Sequence, residues 1–368
     1  MADASVHASA SRGTSPTLRS CSRTTGCPSR VVRPLCVAAV CAFASTALAL
    51  AGDARPNVSY SGRADWDDAA ATLTFRTSGT MPDSKEGFFW DVPPLVKRIV
   101  IEAGVRVTGG FRIRYRKPDN PLWIVGRSRE TSVIFGTDSE AWTDRNSVVE
   151  NDKWRYSGIS VVEDAVVHVS NLTVLNPRGY LVSGYAAKAV LHVDSCSLLD
   201  SRAGDNNNSD GFAGAQGSSV RNCLISTGDD GIKIYNDITI DDVTIEHHRS
   251  GAPLQFGWGG EPQQATAVVR RLVIRGIDPD NRYNMAPLTW ERGDAGTRHV
   301  TIDGLEVVAS GEVYDEERGR WLPLGLLEIK PRDCTFDLRV TEARLHGLPV
   351  GTCNSKGSIH IEDAATPK

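Results

Sequence analysis

A short pattern recurs through the middle of this chain of 368 residues and constrains its fold more than any other feature. The pattern is an apolar residue, any residue, Asn, Ser or Asp, and then apolar, any and apolar. It occurs as VSNLTV (169–174), VDSCSL (193–198), VRNCLI (220–225), IDDVTI (240–245) and, more loosely, VRRLVI (269–274) and IDGLEV (302–307). A pattern that recurs at these intervals, without helices between its members, is typical of a solenoid, in which each unit stacks on the one before.

A second pattern precedes the first in the early repeats. Its members are SGI (157–159), SGY (183–185), DGF (210–212), DGI (230–232) and APL (252–254). The two patterns keep an offset of 15 residues in three successive repeats, measured from Ser183, Asp210 and Asp230. Each repeat therefore holds at least two strands, and we predict an all-β, single-stranded right-handed parallel β-helix with capped ends. A β-sandwich or barrel is the alternative.

Equivalent residues of successive coils should lie about 4.8 Å apart, the spacing of paired strands. The predicted interior ladder consists of Leu172, Cys196, Cys223, Val243, Leu272 and Leu305. Stacking of Cys196 on Cys223 permits either a disulfide or two packed thiols. For Cys334 and Cys353 we expect a disulfide that closes the C-terminal end. The one candidate helix lies around Ala69.

The first 51 residues differ from the rest of the chain. Five arginines precede an apolar run, LCVAAVCAFASTALALA, which ends in small residues of the A-x-A type. This arrangement is typical of a secretory signal, and an uncleaved membrane anchor is the alternative. We predict a removed signal over residues 1–51, an N-terminal cap over 52–95, and the β-helix with its C-terminal cap over 96–368. The mature protein is then secreted or periplasmic and outside the membrane.

The formal net charge of −4 is small for a chain of this length. It gives no support to a nucleic acid or an anionic membrane as partner, and a neutral partner fits better. We expect a monomer by default.

Three acids fall into register in the predicted helix. Asp210 and Asp230 hold the same position of consecutive coils, and Asp229 lies beside them. The two preceding coils have Ser157 and Ser183 at that position. Carboxylates one coil apart repel one another and raise at least one pKa, a cost that usually marks a functional site. Turn chemistry alone would explain a single Asp-Gly, but not three acids together.

The residues after the acids alternate between the two faces of a strand. One apolar position is shared by three successive coils, at Phe212, Ile232 and Leu254. Lys233 and Gln255 should therefore face outward beside the acids. Trp258 follows in GWGG, where its ring is a candidate platform for a sugar.

Clustered carboxylates serve two chemistries. Glycoside hydrolysis uses one protonated carboxyl as the acid and an ionised partner that activates water or attacks the sugar. A polyuronate lyase would instead hold Ca²⁺, which requires more oxygen ligands than three residues supply. The sequence thus favours a hydrolase with no metal and no cofactor.

The acid motifs NSDGF (208–212) and GDDGIKIY (228–235) resemble those of the pectin-lyase-like β-helix glycoside hydrolases. The Lys and Tyr of the second motif, together with PLQFGWG (253–259) and PLWIVGRSRETSVIFGTD (121–138), are most similar to the family-49 dextranases and isopullulanases. The polygalacturonases are more distant. Their Gly-His-Gly is replaced by APLQFGWGG, and the triplet related to their Arg-Ile-Lys, Glu328-Ile329-Lys330, begins with an acid.

The resemblance implies roles for individual residues. Asp229 would be the general acid, and Asp210 and Asp230 would position and deprotonate the attacking water, with inversion of the anomeric configuration. The implied substrate-binding residues are Lys233, Tyr235, Gln255 and Trp258. The expected protein is a secreted inverting glycoside hydrolase that acts on a polysaccharide, with an α-glucan such as dextran first. A hydrolase or lyase of a uronic acid polymer and a non-catalytic carbohydrate-binding β-helix are the alternatives.

Histidine and tryptophan residues are further candidates for a functional site. His247 and His248 are adjacent, and neighbouring residues of an extended chain diverge, so we predict surface or loop histidines rather than metal ligands. Trp290, in PLTWERGD, is predicted to pack in the core, with a place in the substrate groove as the alternative.

Overall fold

Strands of this protein pair with strands one coil later in the chain. The computed structural model describes residues 55–82, 89–139, 156–184, 186, 188–202, 207, 209–247, 251–259, 262–276, 286–293, 295–308, 313–315, 320–322 and 325–364. The predicted signal over residues 1–51 lies outside this range. Residues Gly52–Lys368 form one compact unit.

The strands form three sheets. The first sheet has 17 strands: β1 (Ala64–Asp67), β2 (Thr72–Phe75), β3 (Gly79–Thr80), β5 (Arg98–Ile101), β6 (Arg106–Thr108), β8 (Leu122–Gly126), β9 (Val133–Phe135), β11 (Ala165–Ser170), β12 (Thr173–Leu175), β14 (Ala189–Asp194), β15 (Ser197–Leu199), β17 (Ser218–Thr227), β19 (Ile238–His247), β21 (Gln264–Arg275), β23 (Thr297–Val308), β27 (Thr335–Arg344) and β29 (Ile359–Asp363). The second sheet has ten: β4 (Phe89–Asp91), β7 (Gly110–Ile113), β10 (Ile159–Val161), β13 (Val182–Gly184), β16 (Phe212–Ala213), β18 (Ile232–Lys233), β20 (Leu254–Gln255), β22 (Leu288–Trp290), β26 (Leu327–Ile329) and β28 (Gly351–Cys353). The third pairs β24 (Val313–Asp315) with β25 (Arg320–Leu322).

The order of the ten-stranded sheet defines the architecture. Its strands run β4, β7, β10, β13, β16, β18, β20, β22, β26 and β28, in chain order and all parallel. Each coil therefore contributes one strand to this sheet and returns through the 17-stranded sheet. The predicted parallel β-helix is confirmed, and the sandwich or barrel alternative is wrong.

The first repeat pattern marks a corner of the coil. Its polar position has the left-handed backbone conformation, with φ of 55° at Asn171, 51° at Asn222 and 55° at Asp242. Asn and Asp tolerate this conformation better than most residues, which explains the pattern. The residue after each corner points inward, and the predicted ladder from Leu172 to Leu305 pairs in register and is buried.

The four cysteines among the described residues are thiols. Cys196 and Cys223 are both buried in the ladder, so of the two predicted arrangements the structure has packed thiols. Burial raises the pKa of Cys223 to about 11, which keeps the thiol protonated. The predicted disulfide between Cys334 and Cys353 is not formed. Cys353 ends β28 in one sheet, whereas Cys334 precedes β27 in the other.

The coils begin within the segment expected to form the N-terminal cap. β2, β3 and β4 already pair in parallel with β5, β6 and β7 of the next coil, and β1 folds back on β2 as an antiparallel hairpin. The helix expected around Ala69 is wrong, because Ala69 lies in the turn of this hairpin. No helix in the described ranges is long and apolar enough to cross a bilayer.

The side chains of His247 and Trp290 lie in the interior. His247 ends β19 and is fully buried, so the expected surface position is wrong for it, and His248 lies outside the described residues. The alternation of β19 places His247 inward, in step with Ile245. Trp290 is 1% exposed and packs against Phe336 in the core, as predicted.

Candidate active site

The acids lie where the chain enters the ten-stranded sheet. Asp210 stands two residues before Phe212 of β16, and Asp230 stands two residues before Ile232 of β18. Phe212 pairs with Ile232, and the backbone N–H of Gly211 donates to the carbonyl of Asp230 at 2.8 Å. Asp210 and Asp230 are thus equivalent residues of consecutive coils, as the sequence predicted.

The register one coil earlier differs from the prediction. Val182 pairs with Phe212, so Tyr180, and not Ser183, occupies the position of Asp210 in the preceding coil. Ser183 pairs instead with Ala213. The expected register was wrong because the segment from Val182 to His192 is three residues longer than the equivalent segment from Phe212 to Ser219 in the next coil.

Lys233 lies between the two stacked acids. Its Nζ is 2.6 Å from Oδ2 of Asp230 and 3.3 Å from Oδ2 of Asp210. The remaining oxygens accept backbone N–H groups: Oδ1 of Asp230 from Ala252 at 2.9 Å, and Oδ1 of Asp210 from Asp230 at 3.2 Å. Buried carboxylates need such partners, and together they hold both acids in fixed orientations.

Burial and charge set the ionisation of this group. Asp210 is 2% exposed, and loss of solvent raises its pKa to about 6. The Lys233 ammonium opposes that rise, the Asp230 charge adds to it, and a hydrogen bond from the Tyr180 hydroxyl opposes it. Burial lowers the pKa of Lys233, but the two carboxylates outweigh it and hold the pKa well above its usual value. Lys233 is therefore a permanent cation in the site.

Asp229 differs from the other two acids in exposure. It is half-buried, whereas Asp230 is 5% exposed. Its carbonyl accepts a hydrogen bond from Oγ1 of Thr227 at 2.8 Å, which fixes the backbone before the strand. Asp229 lies in a bend, and one of its carboxylate oxygens stays within 4.8 Å of an oxygen of each of the other two acids. It is nonetheless the most exposed of the three acids, whereas Asp230 is in contact with Lys233.

Gly251 is a site residue that sequence reasoning missed. Its φ is +71°, and a Cβ atom there would lie 2.3 Å from Oδ1 of Asp229 and 2.5 Å from Oδ1 of Asp230. Only glycine leaves room for both carboxylates at this point. The Ser-Gly before APL (252–254) was the available signal, but its contact with the acids crosses from one coil to the next.

The predicted substrate-binding residues divide into two groups. Lys233 and Gln255 pair in register as predicted, but both are buried, and Lys233 is engaged by the acids. Gln255 accepts a hydrogen bond from the Tyr235 hydroxyl through Oε1, so it orients Tyr235, which is half-buried.

Trp258 follows β20 and is 41% exposed. The Arg292 guanidinium lies over its ring, with Cζ 4.7 Å from the ring centroid. Ala252 holds the position of Asp230 in the coil of Trp258, and six residues span at most about 20 Å. Trp258 therefore lies within about 20 Å of the position that is equivalent to Asp230 in the next coil.

The cluster also has the spacing of a cation site. One oxygen from each of the three acids lies within 4.8 Å of the others. Lys233, however, already places a positive charge between Asp210 and Asp230. Ca²⁺ takes about six to eight oxygen ligands. The donor set thus suits an internal ammonium better than a resident metal.

No protein-family model matches the chain, and no curated protein matches it. Among solved structures, the chain is similar to Dex49A from Penicillium minioluteum, with 12% identity and a TM-score of 0.49 over 83% of this chain and 62% of that one. It is also similar to an alginate lyase from Paenibacillus sp. str. FPU-7, with 12% identity and a TM-score of 0.37 over 72% of this chain and 90% of that one. The chain thus spans less than two thirds of the length of Dex49A.

Proposed function

We propose that this protein is a glycoside hydrolase that cleaves a polysaccharide at the cluster of Asp210, Asp229 and Asp230. The observation that carries the proposal is the division of labour among the three carboxylates. Two are buried and share one lysine, and the third is half-buried, with a carboxylate oxygen within 4.8 Å of theirs. Such a group provides both a partly exposed acid and ionised partners, which glycoside hydrolysis requires.

The roles follow from exposure and charge. Asp229 is the general acid, because it alone of the three is partly exposed, so that a glycosidic oxygen could approach its carboxyl. Asp210 and Asp230 hold and deprotonate the attacking water, and Lys233 supports their ionised state. At neutral pH Asp210 is ionised, since its pKa of about 6 lies below that pH.

The stereochemical outcome is the finer part of the proposal. The family resemblance supports inversion, whereas inverting enzymes usually separate acid and base by about 6.5–9.5 Å and retaining enzymes by about 5–5.5 Å. In this cluster one oxygen of each acid lies within 4.8 Å of the others, which is closer to the second range. Proton NMR of the first-formed anomer decides between them: we expect the inverted anomer, and the retained anomer would make one of the buried acids a nucleophile.

An α-glucan such as dextran is the first substrate candidate, and the similarity of residues 228–235 and 253–259 to family-49 sequences supports it. The exposed Trp258 ring and the half-buried Tyr235 hydroxyl suit neutral sugars, which offer C–H faces and hydroxyl groups. We propose that the enzyme acts outside the cell, as a monomer, after removal of residues 1–51.

A uronic acid polymer is the second candidate, and one observation favours it. Arg292 is exposed on the Trp258 ring, and it makes no ion pair with an acid in the described part of the chain. A stacked guanidinium retains its forked donors for a carboxylate. If the substrate is a polyuronate, Arg292→Gln should raise KM strongly; if it is a neutral glucan, the same change should have little effect.

A panel of purified polysaccharides tests the function directly. We expect wild-type protein to release reducing ends from at least one α-glucan, without added Ca²⁺. Products that absorb in the ultraviolet and appear only with Ca²⁺ would show a lyase. Binding without cleavage across neutral and uronic acid polymers would replace the proposal by a carbohydrate-binding β-helix.

A further inference from the structure

Tyr180 is the residue on which Asp210 stacks. The two hold equivalent positions of consecutive coils, and the backbone N–H of Leu181 donates to the carbonyl of Asp210 at 2.8 Å. This register places the half-buried Tyr180 ring on the side of Asp210 opposite to Asp230. The Tyr180 hydroxyl hydrogen-bonds to the Asp210 carboxylate.

The charges that face Asp210 come from two coils. Tyr180 faces it from the preceding coil, and Asp229, Asp230 and Lys233 face it from the following one. The Lys233 ammonium lies 5.8 Å from the centroid of the Tyr180 ring, so the two groups lie close to one another as well as to Asp210. Asp210 thus has three donors: the Tyr180 hydroxyl, the Lys233 ammonium and the Asp230 backbone N–H.

We propose that Tyr180 is a positioning residue, which holds the Asp210 carboxylate in place through its hydroxyl group. The proposal rests on the proposed function, in which Asp210 acts on the attacking water. A hydrogen bond to a charged acceptor stabilises the ionised form over the neutral one. Without it, the buried carboxyl would retain its proton to a higher pH and would be freer to turn.

Tyr180→Phe removes the hydroxyl and keeps the ring. The titration of Asp210 can be followed by ¹³C NMR on protein with carboxyl-labelled aspartate, the signal being the one that Asp210→Asn removes. We expect the midpoint of Asp210 to rise by about one pH unit in Tyr180→Phe. We also expect kcat to fall roughly ten- to a hundredfold with KM nearly unchanged, and the acid limb of the pH profile to move up with the midpoint.

Tyr235→Phe is the matched control. The Lys233 ammonium lies 5.6 Å from the centroid of the Tyr235 ring and 5.8 Å from that of the Tyr180 ring. The Tyr235 hydroxyl, however, donates to Gln255. The Asp210 midpoint should therefore stay at the wild-type value. An equal shift in both variants would show that the effect passes through Lys233, and it would overturn the proposal.

A second substitution retains the hydroxyl, in case Tyr180→Phe does not fold. Difluorotyrosine at position 180 is a more acidic phenol and a stronger donor, so the Asp210 midpoint should fall below the wild-type value. Midpoints that do not move with either substitution would overturn the role of Tyr180. These titrations need no turnover: if no polysaccharide is cleaved, the proposed function fails while the midpoints still test Tyr180.

Discussion

A Cβ atom on Gly251 would lie 2.3 Å from Oδ1 of Asp229. The glycine belongs to the coil that follows the acids, so the next turn of the helix forms the wall against which two carboxylates rest. Steric room at one backbone position therefore helps to set the orientation of the proposed acid. This contact makes Gly251 as informative a target as the acids themselves.

Gly251→Ala should impair both folding and catalysis. The positive φ costs a non-glycine residue about 1–2 kcal/mol, and displacement of the carboxylates should lower kcat roughly a hundredfold. Gly217→Ala is the control, because Gly217 has φ +87° and nothing within 4 Å of its Cβ position. Chemical denaturation and initial rates should show equal backbone costs in both variants but loss of activity only in Gly251→Ala. Full activity in Gly251→Ala would contradict the contact.

Asp229→Asn should remove the general acid while leaving the cleft intact. We expect kcat to fall by about 10²–10⁴, with polysaccharide binding nearly unchanged, because proton transfer to the leaving oxygen is lost and the size of the side chain is kept. Reducing-end release and affinity electrophoresis measure the two effects. Asp119→Asn, at an exposed turn far along the chain, is the control and should behave as wild type. Unchanged turnover in Asp229→Asn would eliminate the proposed acid.

The pH profile should report Asp210. Because burial raises its pKa to about 6, Asp210 is ionised above that pH and protonated below it. A base must be ionised, so kcat/KM should fall about tenfold per pH unit below about 6. Initial rates between about pH 4 and 8 test this. An acid limb at about pH 4 would mean that Asp210 does not act as base.

Lys233→Met should destabilise the fold in a pH-dependent way. Removal of one partner of a buried ion pair costs about 3–5 kcal/mol. Without the ammonium the folded-state pKa of Asp210 rises further above its unfolded value. At a pH between these two values the folded state binds more protons than the unfolded state. The free energy of unfolding therefore falls as the pH rises through that range. Denaturation should show a smaller deficit at about pH 4.5 than at about pH 7.5.

Lys117→Met, at an exposed position, is the comparison for that experiment and should show no pH-dependent deficit. The same loss of unfolding free energy in Lys233→Met at both pH values would mean that the variant loses packing rather than charge compensation.

Trp258→Ala should weaken substrate binding more than it slows the chemical step. Loss of one stacking ring should raise KM about threefold to tenfold and leave kcat nearly unchanged, since a stacking ring binds the substrate but transfers no proton. Trp123→Ala is the control, because Trp123 is 42% exposed, close to the 41% of Trp258, but lies in β8 of the 17-stranded sheet. Michaelis kinetics on the active polysaccharide should distinguish them. Equal effects in both variants would remove Trp258 from the substrate path.

Much of the architecture was predictable because a parallel β-helix repeats a local rule. The corner residues Asn171, Asn222 and Asp242 take a left-handed conformation that few residue types tolerate, so Asn and Asp recur at the corners of the early coils. The residue that follows each of these corners points into the buried interior and is therefore apolar. Asp210 and Asp230 could be aligned because the glycines and apolar residues after them share this rule.

The sequence by itself determined the coil, the interior ladder and the stacking of Asp210 on Asp230, since these depend on local conformation and burial that recur in every repeat. Only the tertiary structure decided which residue holds the position of Asp210 in the preceding coil, because the segment from Val182 to His192 has three more residues than its equivalent in the next coil, which places Tyr180 there and not Ser183. The tertiary structure also brought Gly251 against the acids. Contacts across coils depend on loop lengths and on the space between side chains, neither of which the local pattern encodes.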